Sequence, residues 1–271
     1  MMENKRTFDL VSDDSDHRFR HYNIHKNCFT DSNSFAYRRI MNEWKVLAKD
    51  LPDSIHVRVY EHHVDILRAV IVGSPGTPYQ DGLFFFDIAL PKIYPFRPPK
   101  IHYISFGYRL NPNLYPAGTV CLGIPKTWKV NTFKSWSPAR TLLKARAYNA
   151  SVFVLTCYSS VCLIRKPPKN LEEFVEQHFR DRGHVLLAAC EHYGYNSSNN
   201  SMAVVEVTES FQASLQIVYR NMYKKFLECG ASLEGFVEEL KVERQVKGKR
   251  SNGVKGILKK ATGKIQRALG W

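Results

Sequence analysis

Four prolines fall within nine residues of PKIYPFRPP, at positions 91, 95, 98 and 99, and no other stretch constrains the chain so strongly. Proline holds φ at about −65° and has no N–H to give to a ladder, so this segment is rigid and cannot run inside a sheet. It separates blocks that read as strands. IHVRVY (55–60) alternates, VDILRAVIVG (64–73) is largely apolar, and GLFFFDIAL (82–90) is rich in aromatic and branched side chains. GSPGTPYQDG, between the last two, is a loop by composition, and PKIHYI (99–104) follows the prolines as a fourth strand. Ahead of them Tyr37, Ile40, Met41, Trp44, Leu47 and Ala48 recur at helical steps, with Asn33 or Ser34 as cap and Pro52 as stop. One helix followed by a four-strand antiparallel meander makes an α+β domain.

The flanks are less regular. Residues 1–32 are polar, without a clean period, and are expected to be loosely ordered. TWKVNTFKSWSPARTLL (127–143) reads as a loop ending in a helix entry, with Pro138 in its first turn. NASVFVLTCYSSVCLIRKPP (149–168) is apolar throughout and fits either strand or buried helix. Residues 170–193 open with Asn170, Glu172 and Glu173, a helix start. After a polar linker, 208–229 places Phe211, Leu215, Val218, Met222 and Phe226 on one helical face, with Thr208 as cap. The expected organisation is a polar segment 1–32, a domain 33–195, a linker 196–207, a helical extension 208–240 and a basic tail 241–271.

Of 271 residues, 44% are hydrophobic, which allows a real core. No apolar run is long enough to span a bilayer, and Asp9, Asp13, Asp14 and Asp16 interrupt any secretory signal. The expectation is a soluble protein of the cytoplasm or nucleus. Six cysteines are scattered without a Cys-x-x-Cys pair, so reduced thiols are expected rather than a disulfide scaffold. The net charge of +14 is concentrated at the end, where residues 241–271 hold ten Lys or Arg against Glu243. There Ile257, Leu258, Ala261, Ile265, Ala268 and Leu269 gather on one side of a helical projection, with lysines opposite. Such a basic amphipathic stretch suits an anionic membrane, an acidic partner or nucleic acid; a solvated tail is the plainer alternative.

NPNLYPAGTVCLGIP (111–125) places Cys121 in a turn-like frame. On local residues alone it is a buried small hydrophobe or a nucleophile. A thiol accepts an acyl group from another thioester without a dedicated base, because the energy is stored in the incoming bond. When an amine attacks the new thioester, charge develops on the carbonyl oxygen, and a neutral amide nearby can donate to it. Asn113, eight residues upstream and braced by Pro112, is such a donor; it could equally close a turn with its own side chain. Other chemistries fit less well. No cysteine-protease signature surrounds Cys121, although ten histidines are present, His56, His62 and His63 among them. Cys157 and Cys162 sit in an apolar run and read as core. SDDSDH (12–17) lacks calcium-loop spacing and reads as a solvated acidic stretch, so no metal site is expected.

Taken in order, helix, meander, YPFRPP, NPN, the eight-residue step to Cys121, Trp128 and SPA resemble the ubiquitin-conjugating enzymes. The likeness is strongest to their large plant and animal branch, in which Asn-Pro-Asn replaces the usual His-Pro-Asn, so that Asn111 stands where most members have His. The resemblance covers roughly Phe35 to Leu143, and more loosely Asn149 to Tyr219. It implies a ubiquitin-conjugating core with an N-terminal helix, four-strand meander and C-terminal helices. It makes Cys121 the ubiquitin-accepting thiol and Asn113 the oxyanion-stabilising or loop-stabilising amide. It also implies two loops that meet a ubiquitin ligase, Tyr94, Pro95, Phe96 and Pro98 in one, Trp136, Ser137, Pro138 and Ala139 in the other. Arg38, Arg39 and Lys45 on the first helix would meet the activating enzyme. The implied partners are ubiquitin, activating enzyme, ligase and a substrate lysine. No cofactor is implied, since ATP is consumed by the activating enzyme.

Family members continue after the SPxxTLL entry with a long amphipathic helix and a loop carrying a KPYFNE-like signature. Here Leu143 runs through Lys144, Ala145 and Arg146 into AYNASVFVLTCYSSVCLIRKPP, as though one internal block were missing near 144. Losing that helix would expose apolar sheet, at about 25 cal/mol per Å². The expectation is weak charging or weak discharge of ubiquitin, with a catalytically impaired binding protein of the same fold as the alternative.

Overall fold

A computed structural model describes residues 7–22, 29, 31–121, 150–195 and 209–240. Helix α1 spans Phe35–Asp50; Ser34 is its cap, with Oγ accepting the Tyr37 N–H at 3.1 Å. The residues ahead of Pro52 leave helical conformation at Leu51, as proline requires of its predecessor. Strands β2 (Ile55–Tyr60), β3 (Ile66–Val72), β4 (Leu83–Ala89) and β5 (Lys100–Tyr103) form the antiparallel meander read from the sequence.

The N-terminal segment corrects the expectation of loose order. Phe8–Val11 is a strand, β1, which pairs in parallel with β2 and completes a five-stranded sheet in the order β1-β2-β3-β4-β5. Phe8 meets Trp44 of α1 edge-to-face at 6.4 Å. A second correction concerns the acidic run. Cross-strand register sets Asp9, Arg58, Arg68, Asp87 and His102 in one row on one face of the sheet. Residues 12–22 lie over that row; Asp16 pairs with Arg68 of the row and Asp14 with His63, while Asp13 stays exposed. Arg68, fully buried, clamps Asp87 through two bonds of 2.6 and 3.1 Å and reaches the Asp16 carboxylate at 2.9 Å. Asp14 pairs with His63. The other Asp16 oxygen accepts the Lys169 N–H at 3.0 Å. Buried His17 accepts the Phe19 N–H at Nδ1 and donates from Nε2 to Leu67 C=O, at 3.2 and 3.1 Å, which defines a neutral ring. Tyr60, Ile66 and Ala89 pack with Val11, Phe19 and Tyr22 alongside it.

The chain divides into two compact units, Met1–Arg146 with Lys166–Glu173, and Ala147–Arg165 with Phe174–Trp271. In the second, the apolar run 149–168 resolves as helix: α2 covers Ala150–Arg165. It is buried on most sides, and its hydroxyls bond back one turn, Thr156 to Val152 C=O and Ser160 to Thr156 C=O. Helix α3 is Glu172–Tyr195 and α4 is Glu209–Glu228. Leu215, Val218, Met222 and Phe226 of α4 are fully buried, while Phe211 is only partly so. Phe226 stacks on Phe179 at 5.7 Å and sits against Gly183, where a Cβ would approach its ring to 2.9 Å. Cys157 and Cys190 are buried thiols, whereas Cys162 is partly exposed. Burial pushes the Cys190 thiol up, aided by its bond with Cys157. Thr208, the linker 196–207 and the basic tail lie outside the described residues. No described helix is long and apolar enough to cross a membrane.

Candidate active site

After β5 the chain folds into a tight loop from Asn111 to Val120, stitched by bridges of Asn111 with Leu114 and Leu114 with Val120. It returns beside β5, where Thr119 faces His102 and Gly118 C=O accepts the Tyr103 N–H at 2.8 Å. Gly118 has φ of +82°, and a Cβ there would stand 2.1 Å from the His102 ring, so only glycine fits this turn. Ser105 Oγ bonds to Pro116 C=O at the far side.

Cys121 emerges exposed at the end of this loop. Its N–H donates to Asn113 C=O at 2.8 Å, so the structure brings together the two residues paired on sequence grounds. Asn113 in turn donates its N–H to Asn111 Oδ1 at 2.9 Å. Asn111 is buried, and its Nδ2 donates to the Tyr79 hydroxyl at 3.1 Å, which itself donates to Leu110 C=O at 3.1 Å. Tyr79 comes from the loop between β3 and β4, and the sequence reading passed over it. Its signal was there: one large aromatic inside a Gly-Pro-Ser loop needs burial, and a buried Tyr needs a partner. Arg109 closes the outer side, stacking over Tyr115 at 4.8 Å and donating to Pro112 C=O at 3.3 Å. Among the described residues no group of three or more His, Cys, Asp or Glu could hold a metal ion.

The proline loop splits in two. Tyr94 and Pro95, joined by a cis peptide, are buried and cannot themselves touch a partner. Burial pushes the Tyr94 hydroxyl pKa up, and neighbouring Glu43 adds to the shift. Phe96 and Pro98 are exposed; Phe96, 67% exposed, stacks on Phe35 of α1 at 5.9 Å beside exposed Ile93. On α1, Arg38 and Lys45 are exposed and share a face one heptad apart, whereas Arg39 is held by Glu43 at 2.5 Å. Trp136, Ser137, Pro138 and Ala139 lie outside the described residues.

A family profile described as "Ubiquitin-conjugating enzyme" matches residues 39–157. The putative ubiquitin-conjugating enzyme E2 38 of Arabidopsis thaliana is 35% identical over 246 positions, covering 78% of this chain and 74% of that protein. The putative ubiquitin-conjugating enzyme E2 39 of the same plant is 36% identical, covering 69% of each. The probable ubiquitin-conjugating enzyme E2 24 of A. thaliana is 36% identical over 83% of this chain, which spans only 28% of that longer relative.

Proposed function

The chain belongs to the ubiquitin-conjugating enzyme family, and we propose that Cys121 is the thiol that carries ubiquitin. The exposed Cys121, bonded through its amide to Asn113, is the observation that supports this most directly. The Cys121 thiolate attacks the thioester carbonyl of ubiquitin on the activating enzyme. A new S–C bond forms, the old one breaks, and the activating enzyme's thiolate leaves. A neutral substrate lysine then attacks the Cys121 thioester. The C–N bond forms, Sγ departs as thiolate, and the surplus amine proton passes to solvent. In this reading Asn113 donates its side-chain amide to the oxyanion formed at each attack. ATP is spent on the activating enzyme, so this chain needs no cofactor.

Phe96 and Pro98, with Phe35 and Ile93 beside them, form the ligase contact, while Tyr94 and Pro95 hold that loop from below. Trp136, Ser137, Pro138 and Ala139 would complete it. Arg38 and Lys45 offer cations to the activating enzyme, with Arg39 committed to Glu43. The basic tail 241–271 adds affinity for an anionic membrane or an acidic partner; truncation at 240 should abolish sedimentation with anionic liposomes.

A second reading, an impaired binding form, is favoured by one observation. The alignment with E2 38 runs over 246 positions yet draws on only 78% of these 271 residues, so several tens of positions of that relative face gaps in this chain. One incubation with activating enzyme, ubiquitin and ATP separates the two. A thiol-sensitive adduct on a non-reducing gel, absent in Cys121→Ala, supports the carrier; no adduct supports the binding form.

A further inference from the structure

The thiol loop carries one cation whose direction is fixed from two sides. Arg109 stands just ahead of Asn111, where the loop begins, and Cys121 follows Val120, where it ends. The bridges of Asn111 with Leu114 and Leu114 with Val120 bring those two ends close. The Arg109 guanidinium lies over the Tyr115 ring at 4.8 Å, and its Nη2 donates to Pro112 C=O at 3.3 Å. Pro112 precedes Asn113, whose C=O accepts the Cys121 N–H at 2.8 Å. The Tyr115 N–H donates to Thr119 C=O at 2.9 Å, shortly before the thiol. Both contacts of Arg109 therefore end on residues that frame Cys121. Arg109, Tyr115 and Cys121 are all exposed. A guanidinium has five N–H donors, and the bond to Pro112 uses one of them. Among the described residues no carboxylate forms an ion pair with Arg109, so its charge is left unmatched there.

We propose that Arg109, held by Tyr115 and Pro112, is the docking point for a carboxylate side chain beside the lysine that receives ubiquitin, and so selects acidic sequence around that lysine. The proposal rests on the reading of Cys121 given above. A guanidinium meets a carboxylate through two parallel N–H···O bonds. Stacking on Tyr115 sets its plane in advance, so less side-chain freedom is lost on docking. A cation beside the thiol also repels an incoming lysine while that lysine is still protonated. An acid next to the lysine offsets this repulsion and guides the amine toward Cys121. A basic stretch around the lysine has no such counterweight. The pair is exposed to solvent, so its effect is moderate and weakens with salt.

The test uses the full chain charged with ubiquitin and discharged onto short peptides, each holding one lysine flanked by glutamate, alanine or arginine. The readout is the ratio of discharge onto the glutamate-flanked peptide to discharge onto the alanine-flanked one. For wild type it should be about threefold to about tenfold at low salt, shrinking toward unity as salt is raised. A ratio within one variant cancels any general slowing from a disturbed loop, and thermal melting establishes that each variant folds. Arg109→Gln should bring the ratio to unity, and Arg109→Glu should turn the preference toward the arginine-flanked peptide. Arg109→Lys should keep part of it, since the charge remains without the planar fork. Tyr115→Leu should also keep part, since the stack is lost. A wild-type ratio of unity wherever the glutamate is placed beside the lysine, or a glutamate preference that survives in Arg109→Glu, overturns the proposal. A wild-type chain that forms no thiol-sensitive adduct overturns the carrier reading instead. Side-chain NMR of the uncharged chain then decides on Arg109 alone. Its Nε–H resonance should shift on titration with the glutamate-flanked peptide and not with the alanine-flanked one; equal responses overturn the docking point.

Discussion

Two polar clusters hold the sheet unit together, and they are built on opposite principles. Over one face of the sheet, residues 12–22 are fastened chiefly by charge, Arg68 between Asp87 and Asp16 and Asp14 against His63, with neutral His17 bonded to Leu67 C=O. Inside the thiol loop the links from Tyr79 to Cys121 are neutral, a phenol, one side-chain amide and backbone groups, with Arg109 only on the outer side. A buried charge must be matched closely or it destabilises the fold, and it responds to pH. A neutral relay gives weaker bonds but a geometry that stays put. The charged cluster suits a segment that must be pinned across a sheet. The neutral one suits a loop in which Asn111, Asn113 and Cys121 are held in register by short bonds.

The largest difference should appear when one member of each cluster is removed. Arg68→Met leaves Asp87 buried with the Arg18 backbone N–H and His17 at 3.6 Å as its remaining neighbours, and releases Asp16 toward solvent. Stability should drop by about 3–5 kcal/mol, read as the urea midpoint, because an uncompensated buried carboxylate remains. Asn111→Ala, which removes a neutral group, should lose only about 1–3 kcal/mol. If Arg68→Met proves no worse than Asn111→Ala, the contrast between charged and neutral wiring is wrong.

A middle-sized effect lies where the clusters meet. His102 belongs to the charged row across β5 and also lies against Gly118 of the thiol loop. Gly118→Ala forces a Cβ to 2.1 Å from the His102 ring, at a φ that L residues rarely adopt. We expect a loss of about 1–3 kcal/mol. Discharge of ubiquitin should also slow, because Thr119 and Val120 lead directly into Cys121. Loss of stability without any change in discharge would show that the relay through Asn111 holds the thiol independently of the turn.

What the sequence disclosed follows the range of the forces involved. Helix α1 and strand β2 were read with boundaries within a residue, because capping by Ser34, the stop at Pro52 and the alternation in IHVRVY are local. The turn-like frame of Cys121 was legible because its backbone bond to Asn113 closes over eight residues. Strand β1 was not, since four residues carry too little period and its partner β2 lies far along the chain. Nor were the partners of Asp14 and Asp16: His63 and Arg68 stand about fifty positions away, and an acidic run looks solvated until its counter-charges are placed. Tyr79 escaped for the same reason, its bond to Asn111 spanning 32 residues. Residues 149–168 stayed ambiguous because a helix buried on most sides has no amphipathic period to show.

The smallest expected effect is the pH dependence of the charged cluster. His17 faces Asp87, Arg68 and Asp16 and bonds to Leu67 C=O, yet burial dominates and holds its pKa below the ordinary 6.5. His102 is shifted the same way, chiefly by burial and then by Arg18. As pH falls, the unfolded chain therefore takes up these protons before the folded one does. Stability is full above the unfolded imidazole value of about 6.5 and declines below it until the lowered folded values are reached. The slope cannot exceed about 1.4 kcal/mol per pH unit for each proton involved. Urea midpoints measured from pH 7.5 downward should show this decline, and His17→Gln should flatten it, leaving the share due to His102. No group in the relay from Tyr79 to Asn113 titrates in that window, so Asn111→Ala should shift the whole curve down without changing its slope. A change of slope in Asn111→Ala would mean that the two clusters are coupled through His102, and that the neutral relay is less insulated from charge than its composition implies.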